Sequence, residues 1–148
     1  MHDFRDEFFY RVGLILIITL NCQHNNNGKK ILTIKKLESI FFLLQNHTLM
    51  RYVAENLNLG TLVKYEPTLY DDALRVNDDQ EHLGIEISFL ASNNFITVSN
   101  DDGCFYIETN IKTEEIDFHS QFVTANLRLI KKLASQPETR LLKAILKA

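Results

Sequence analysis

The stretch "GIEISFLASNNFITVSNDDGCFYIET", Gly84 to Thr109, carries the clearest structural signal in the sequence. Around its start, apolar residues recur at i, i+4 and i+7, which predicts a helix capped by Asp78 or Asp79 and ending near Ala91. The segments "FITVS" and "CFYIET" alternate as half-buried strands do, and "NDDG" between them is typical of a hairpin turn. A helix followed by a β-hairpin is therefore predicted here.

Three more helices are predicted upstream of this stretch. Residues from Phe4 to about Asn21 are apolar on nearly all sides, which predicts a helix that is buried on most faces or packs against a partner. Thr33 is a plausible N-cap for a second helix over residues 34–46, and a third spans residues 48–58. The "KKIL" segment at 29–32 adds a short candidate strand.

The rest of the chain is predicted to be a loop followed by helices. Leu62 to Asn77 contains Pro67 and is interpreted as a loop. After Thr113 the pattern predicts one long helix, which Pro137 interrupts, and then a final helix from Glu138 to Lys147.

This order of elements is that of a winged helix, in which a two-stranded wing follows a recognition-type helix. The fold class is predicted to be mainly α with a small β-hairpin, that is, α+β. Residues 1–112 would form a winged-helix-like domain, and residues 113–148 a C-terminal helical extension packed on the same domain.

Composition and cysteine usage favour a soluble cytoplasmic protein. The chain has 148 residues, of which 45% are hydrophobic and 24% charged, and its two cysteines form no disulfide or metal pattern. The apolar run "VGLILIITL" follows an acidic segment rather than the basic one that a signal peptide needs. It is also far shorter than the roughly 20 residues that span a bilayer.

No catalytic motif is present in the sequence. It contains no GxxxxGK[ST], GxGxxG, HExxH, CxxC or GxSxG pattern, and its five histidines are scattered. We therefore expect no enzymatic activity, no cofactor and no metal site in this chain.

Charge is distributed unevenly along a chain of net charge −3. Residues 66–119 carry thirteen acids and two bases, whereas residues 120–148 carry six bases and one acid. The basic segments are candidates for contact with DNA or with an acidic protein surface, including the acidic zone of a second copy, although a solvated helix face explains them too. The candidate residues are Lys29, Lys30, Lys35, Lys36, Arg128, Lys131, Lys132, Arg140, Lys143 and Lys147.

A DNA-reading winged helix usually carries Lys and Arg on its recognition helix and wing, because neutralising phosphates supplies most non-specific affinity. Here the predicted helix "DDQEHLGIEISFLAS" and the turn "NDDG" contain acidic residues and no Lys or Arg. A protein contact is the better interpretation of this surface. On the first helix, Phe8, Phe9, Leu14 and Ile18 are candidate interface residues, although core packing explains any single one equally well.

The blocks "YRVGLILIITL", "GKKILTIKKLESIFFLLQN" and "GIEISFLASNNFITVSNDDGCFYIET" resemble the middle component of bacterial ABC three-component systems. The likeness covers Phe4 to Thr109 and extends to the small accessory subunit of Lamassu-type antiviral defence systems. It implies a non-catalytic subunit that binds an SMC- or Rad50-like ABC ATPase and links it to an effector, often a nuclease. The partners would then carry out ATP hydrolysis and DNA cutting, and this chain would contact DNA only indirectly, through the complex.

Two other functions compete with this interpretation. A winged-helix transcription regulator would use the Lys29 to Lys36 patch or the C-terminal helix on DNA, and would bind duplexes with steep salt dependence. An antitoxin-like protein would instead bind an unrelated toxin or enzyme.

Overall fold

The computed structural model describes residues 4–60, 82–116 and 120–147. Within these ranges the α-helices are α1 (Phe4–Cys22), α2 (Ile34–Gln45), α3 (His47–Asn56), α4 (Gly84–Ser92), α5 (Gln121–Ala125), α6 (Leu127–Ala134) and α7 (Glu138–Lys147). Two antiparallel strands, β1 (Thr97–Asp101) and β2 (Cys104–Glu108), form the sheet of the described part. The predicted α+β class, mainly helical with a small hairpin, is confirmed. No helix in the described ranges is long and apolar enough to cross a membrane.

Helix α1 lies against α4, α6 and β2. Leu14, Ile15 and Ile18 are at most 1% exposed, and Val12 is nearly as well buried. Because these side chains point in several directions around the helix axis, α1 is enclosed on most sides, as its nearly uniform apolar character predicts.

The residue that caps helix α2, Thr33, also binds the first residue of α7. The Thr33 hydroxyl accepts a hydrogen bond from the Lys36 amide at 3.1 Å and donates one to Glu138 Oε2 at 2.7 Å. The predicted N-cap is confirmed, and the second bond ties the start of α2 to the start of α7. Helix α2 packs against α3, α6 and α7, so residues 127–147 share one core with the upstream helices.

Replacing Thr33 with valine is expected to lower the free energy of unfolding by about 1–3 kcal/mol, because it removes a helix cap and a bond to a carboxylate while keeping the side-chain shape. Thr33→Ser is the matched control, since it keeps the hydroxyl, and we expect it to lose less than Thr33→Val. Urea denaturation of both variants measures the difference. Equal losses would contradict the prediction, because the methyl group would then stabilise this junction as much as the hydroxyl does.

The hairpin turns tightly at Asp102 and Gly103, whose φ angles of 53° and 82° lie in the left-handed region. The Asn100 side-chain oxygen accepts a hydrogen bond from the Gly103 amide at 3.1 Å and stiffens the turn. The turn predicted at "NDDG" is therefore confirmed. On β2, the side chain of Ile107 is fully buried.

The segment before α2 joins the hairpin without forming a regular strand. The Leu32 carbonyl accepts a hydrogen bond from the Ile107 amide at 3.0 Å, and Thr33 forms a single antiparallel bridge with Tyr106. The short strand predicted at residues 29–32 is thus reduced to isolated bridges.

The predicted start of the helix before the hairpin is wrong. His82 and Leu83 are not helical, and α4 begins at Gly84; Asp78 and Asp79 lie outside the described residues. The Glu38 carboxylate on α2 accepts a hydrogen bond from the amide of Leu83, the residue just before α4, at 3.0 Å and ties the start of this helix to α2. The loop predicted at residues 62–77 also lies outside the described residues.

The single long helix predicted after Thr113 is also wrong. The chain forms one 3₁₀ turn at Thr113–Glu115, then α5 and α6, and residues 117–119 are outside the described part. The Ser120 hydroxyl accepts a hydrogen bond from the Val123 amide at 3.3 Å and caps α5. Asn126, which is 2% exposed, separates α5 from α6. Serine favours such a cap because its side chain competes with helical backbone hydrogen bonds, whereas the Asn126 side chain makes no cap bond to α6.

Candidate protein-interaction surface

Buried polar contacts fix the orientation of α4. Arg11 Nε on α1 donates a hydrogen bond to Glu86 Oε2 at 2.8 Å, and the two side chains are 16% and 9% exposed. The Arg11 guanidinium also lies 5.8 Å from the centre of the Phe41 ring. Together with the Glu38 contact to the Leu83 amide, this pair holds one side of α4 against the core.

The opposite side of α4 forms an apolar surface with the start of α1. Ile85 is 76% exposed and Phe9 is 58% exposed, whereas Phe89 is half-buried. The Phe9 and Phe89 rings meet edge to face with centroids 6.4 Å apart, and Phe8 lies 5.4 Å from Phe89. Because Ile85 and Phe89 are four residues apart, they share one helix face. We call Phe9, Ile85 and Phe89 the apolar patch.

The structure separates the four predicted interface residues of α1. Phe9 belongs to the apolar patch, and Phe8 is half-buried beneath it. Leu14 and Ile18 are 1% and 0% exposed and lie in the core. A partner that docks on the folded protein can therefore contact Phe9, whereas Leu14 and Ile18 stabilise the fold.

The exposed face of α4 is neutral among the described residues; Asp78, Asp79 and Glu81, which give the predicted helix most of its acidic charge, lie outside them. Glu86 is the acidic residue of this helix, and it is buried against Arg11. The exposed positions include Ile85, Ser88 and Ser92. The helix therefore presents apolar and hydroxyl groups with no cation.

Three of the predicted basic contact residues make bonds within the protein. Lys36 is 7% exposed, and its Nζ donates to the Ile31 and Ala134 carbonyls at 2.9 and 3.0 Å. Burial lowers the pKa of Lys36, and nearby Glu138 opposes this shift. Lys132 Nζ donates to the Leu59 carbonyl at 2.7 Å, and Lys30 Nζ lies 3.5 Å from Glu108 Oε1. Lys36 in particular is a structural residue, and its prediction as a surface contact is wrong.

The remaining predicted basic residues are exposed, and three of them converge. Lys29, Lys35, Arg128 and Lys131 are spread over separate elements. Arg140, Lys143 and Lys147 line one groove of about 600 Å³ between α7 and the end of α3. Its other lining residues are Asn56, Leu57, Thr139 and Ala144. We call this the basic groove.

The tip of the hairpin is acidic. Asp101 and Asp102 are exposed, and Phe105 on β2 is 51% exposed. Nearer the base of the hairpin, Glu108 Oε2 lies 2.7 Å from His24 Nε2, so the carboxylate there is already engaged. We call Asp101, Asp102 and Phe105 the hairpin tip.

The two cysteines are expected to react very differently with thiol reagents. Burial raises the pKa of Cys22 to about 12, an effect that Lys131 partly opposes, whereas Cys104 is exposed beside the hairpin turn. Since the thiolate is the nucleophile, on the order of 1 in 10,000 Cys22 thiols is reactive at pH 8. Titration with Ellman's reagent should detect one fast thiol in the native protein and two after denaturation. Cys104→Ser should abolish the fast phase; a fast phase that survives would show that Cys22 is accessible.

No protein-family model, curated protein or solved structure matches this chain.

Sequence reasoning missed Ile85 and Phe89 as surface residues. The helical spacing assigned Leu83, Ile87 and Leu90 to the buried face, and this burial is confirmed. Ile85 and Phe89 lie outside that face but are four residues apart, so they share a second face of the helix. Two apolar residues on a face away from the core are a sequence signal for an exposed apolar surface. The convergence of Arg140 and Lys143 on the end of α3 depends on tertiary packing and had no such signal.

Proposed function

We propose that this protein is a non-catalytic accessory subunit of an SMC- or Rad50-like ABC ATPase complex in prokaryotic antiviral or anti-plasmid defence. In this role it binds the ATPase and links it to an effector subunit, and the partners carry out ATP hydrolysis and DNA cutting. The observation that carries the proposal is the apolar patch on α1 and α4, where Ile85 is 76% exposed.

The order of elements supports a winged-helix-like architecture for this subunit. A helix is followed by an extended segment that bridges to β2, then by helices, and finally by α4 and the hairpin. In a DNA-binding member of this architecture, the helix and wing would carry cations that neutralise phosphates. The exposed face of α4 has none, and the hairpin tip carries Asp101 and Asp102. This surface is suited to protein and would repel a nucleic acid.

The apolar patch has the composition expected of a protein contact. Aromatic side chains are enriched in interfaces, and charged residues are depleted at their centres. Phe9 and Phe89 are held by edge-to-face contacts, so these side chains would lose little conformational entropy when a partner binds. The resemblance to the middle component of ABC three-component systems supports the ATPase as this partner.

A second candidate function, a winged-helix DNA-binding regulator, is favoured by one observation. Arg140, Lys143 and Lys147 form a cluster of cations on one groove, and three cations on one helix could neutralise phosphates. On this alternative the C-terminal helix, and not α4, would contact DNA.

Affinity capture distinguishes the two functions. The tagged chain is expressed from its native operon, captured, and its partners are identified by mass spectrometry; the purified chain is then tested for duplex binding at low and high salt. We expect a large ABC-type ATPase in the captured complex and little DNA binding by the lone chain. Capture of no ATPase, together with salt-sensitive duplex binding, would contradict the accessory-subunit proposal and favour the regulator.

A further inference from the structure

The basic groove contains three cations that have no acidic partner among the described residues. Arg140, Lys143 and Lys147 lie at i, i+3 and i+7 on α7 and therefore share one side of the helix over about 10 Å. By contrast, Arg11 and Lys30 pair with glutamates, and Lys36 and Lys132 donate to carbonyls. The groove therefore holds a concentrated positive charge that no acid among the described residues neutralises.

Two of the residues that line the basic groove are apolar. Leu57 at the end of α3 and Ala144 on α7 are 7% and 6% exposed. A ligand that fits this site combines negative charge with an apolar group. That combination distinguishes it from a free phosphate, which has no apolar part.

The hairpin tip presents the complementary combination. Asp101 and Asp102 are exposed and form no ion pair with a described residue. Phe105, which pairs with Asn100, is 51% exposed on the hairpin face opposite to that of Asp101, so the tip carries its charge and its ring on two sides. Phe105 lies on the same face of β2 as the buried Ile107, and extends beyond the core. The Asn100 contact to Gly103 and the two left-handed turn residues keep this tip rigid, which lowers the entropy lost when it binds.

We propose that the hairpin tip of one copy of this protein inserts into the basic groove of a second copy, so that chains associate head to tail. Asp101 and Asp102 would meet Arg140, Lys143 and Lys147, and the Phe105 ring would cover Leu57 and Ala144. Within one chain the tip carboxylates reach none of the described cations, so no ion pair among the described residues occupies the tip or the groove. This contact goes beyond the proposed function, because it uses neither the apolar patch nor the ATPase.

A head-to-tail contact has a defined consequence for assembly. Each copy offers one tip and one groove, which is a heterologous interface, so association continues until a ring closes or a filament grows. Exposed ion pairs are individually weak and are screened by salt, so the contact should form at high protein concentration and low ionic strength.

Two variants remove the two halves of the contact separately. The tip variant combines Asp101→Lys with Asp102→Asn, since asparagine tolerates the left-handed conformation at the turn. The groove variant combines Arg140→Glu with Lys143→Glu at exposed positions of α7. Neither variant alters a buried residue, and circular dichroism checks that each folds.

Sedimentation velocity at about 0.05 M and about 0.5 M salt tests the proposal, because the Debye length shortens roughly threefold between them. We expect the wild-type mass to rise above the monomer mass of 17.2 kDa with concentration at low salt, and to return to it at high salt. Each variant alone should stay monomeric. An equimolar mixture of the two should associate again at low salt, because the wild-type tip of one variant fits the wild-type groove of the other and the reversed tip attracts the reversed groove.

Combining the four substitutions in one chain should restore association, since the reversed charges again attract. Ile85→Asp should leave self-association unchanged, which separates this test from that of the ATPase contact.

A second readout needs no variant: modification of Cys104, beside the tip, should slow as the wild-type concentration rises at low salt. A wild-type protein that stays monomeric with an unchanged Cys104 rate would overturn the proposal. Association that survives in both variants, or a groove that binds duplex DNA while the chain stays monomeric, would also overturn it.

Discussion

Replacing Arg11 with methionine is expected to lower the free energy of unfolding by about 3–5 kcal/mol, because it leaves the buried Glu86 carboxylate without its cation. The two side chains are 16% and 9% exposed and their atoms are 2.8 Å apart, so water replaces the lost partner poorly. The substitution also removes the guanidinium from its place over the Phe41 ring. Thermal or urea denaturation of the purified variant measures the loss.

The matched control combines Arg11→Met with Glu86→Leu. Replacing both members of a buried ion pair with apolar groups of similar volume is often neutral or stabilising. We therefore expect the double variant to recover most of the stability that the single variant loses. If the double variant is as unstable as Arg11→Met alone, the loss comes from packing around Arg11 and not from an unpaired Glu86.

Replacing Ile85 with aspartate is expected to weaken binding to the ATPase partner by at least about 30-fold, which corresponds to about 2 kcal/mol. The change places a charge in the apolar patch, where a partner would have to desolvate it. Ile85 is 76% exposed, so the stability of the isolated chain should change little. Titration of the co-purified ATPase with each form of the chain measures the affinity.

Tyr52→Asp is the control for the patch substitution. Tyr52 is a large exposed side chain on α3, outside the apolar patch, and is 55% exposed. It should bind the ATPase as the wild type does. Equal binding by Ile85→Asp and the wild type would show that the patch does not form the contact.

The local elements of the fold were largely predictable from the sequence. The extent of α1, the Thr33 cap of α2, the turn at Asp102 and Gly103, and the final helix after Pro137 all follow from signals within a few residues. Each depends on backbone chemistry or apolar periodicity, which the sequence displays directly. The two errors in helix extent lie where other residues set the boundaries. A carboxylate from α2 binds the Leu83 amide just before α4, Ser120 caps α5, and Asn126 separates α5 from α6.

The candidate surfaces were less predictable, because they depend on contacts between distant residues. Arg11 and Glu86 are 75 residues apart, and only their pairing shows that the exposed face of α4 is neutral. Lys36 and Lys35 are neighbours in a basic run, yet Lys36 is buried with its Nζ bonded to two carbonyls and Lys35 is exposed. Counting charges along the chain cannot separate cations that hold the fold together from cations that face a partner.

Site-specific photo-crosslinking shows directly whether the apolar patch contacts the ATPase. A benzophenone amino acid replaces Ile85 in cells that carry the whole operon, and the same group at Tyr52 is the control. After irradiation, mass spectrometry identifies the proteins attached at each position. We expect position 85 to crosslink to the ABC-type ATPase and position 52 not to crosslink to it. Crosslinking of position 85 to DNA, or no crosslink above that of position 52, would contradict it.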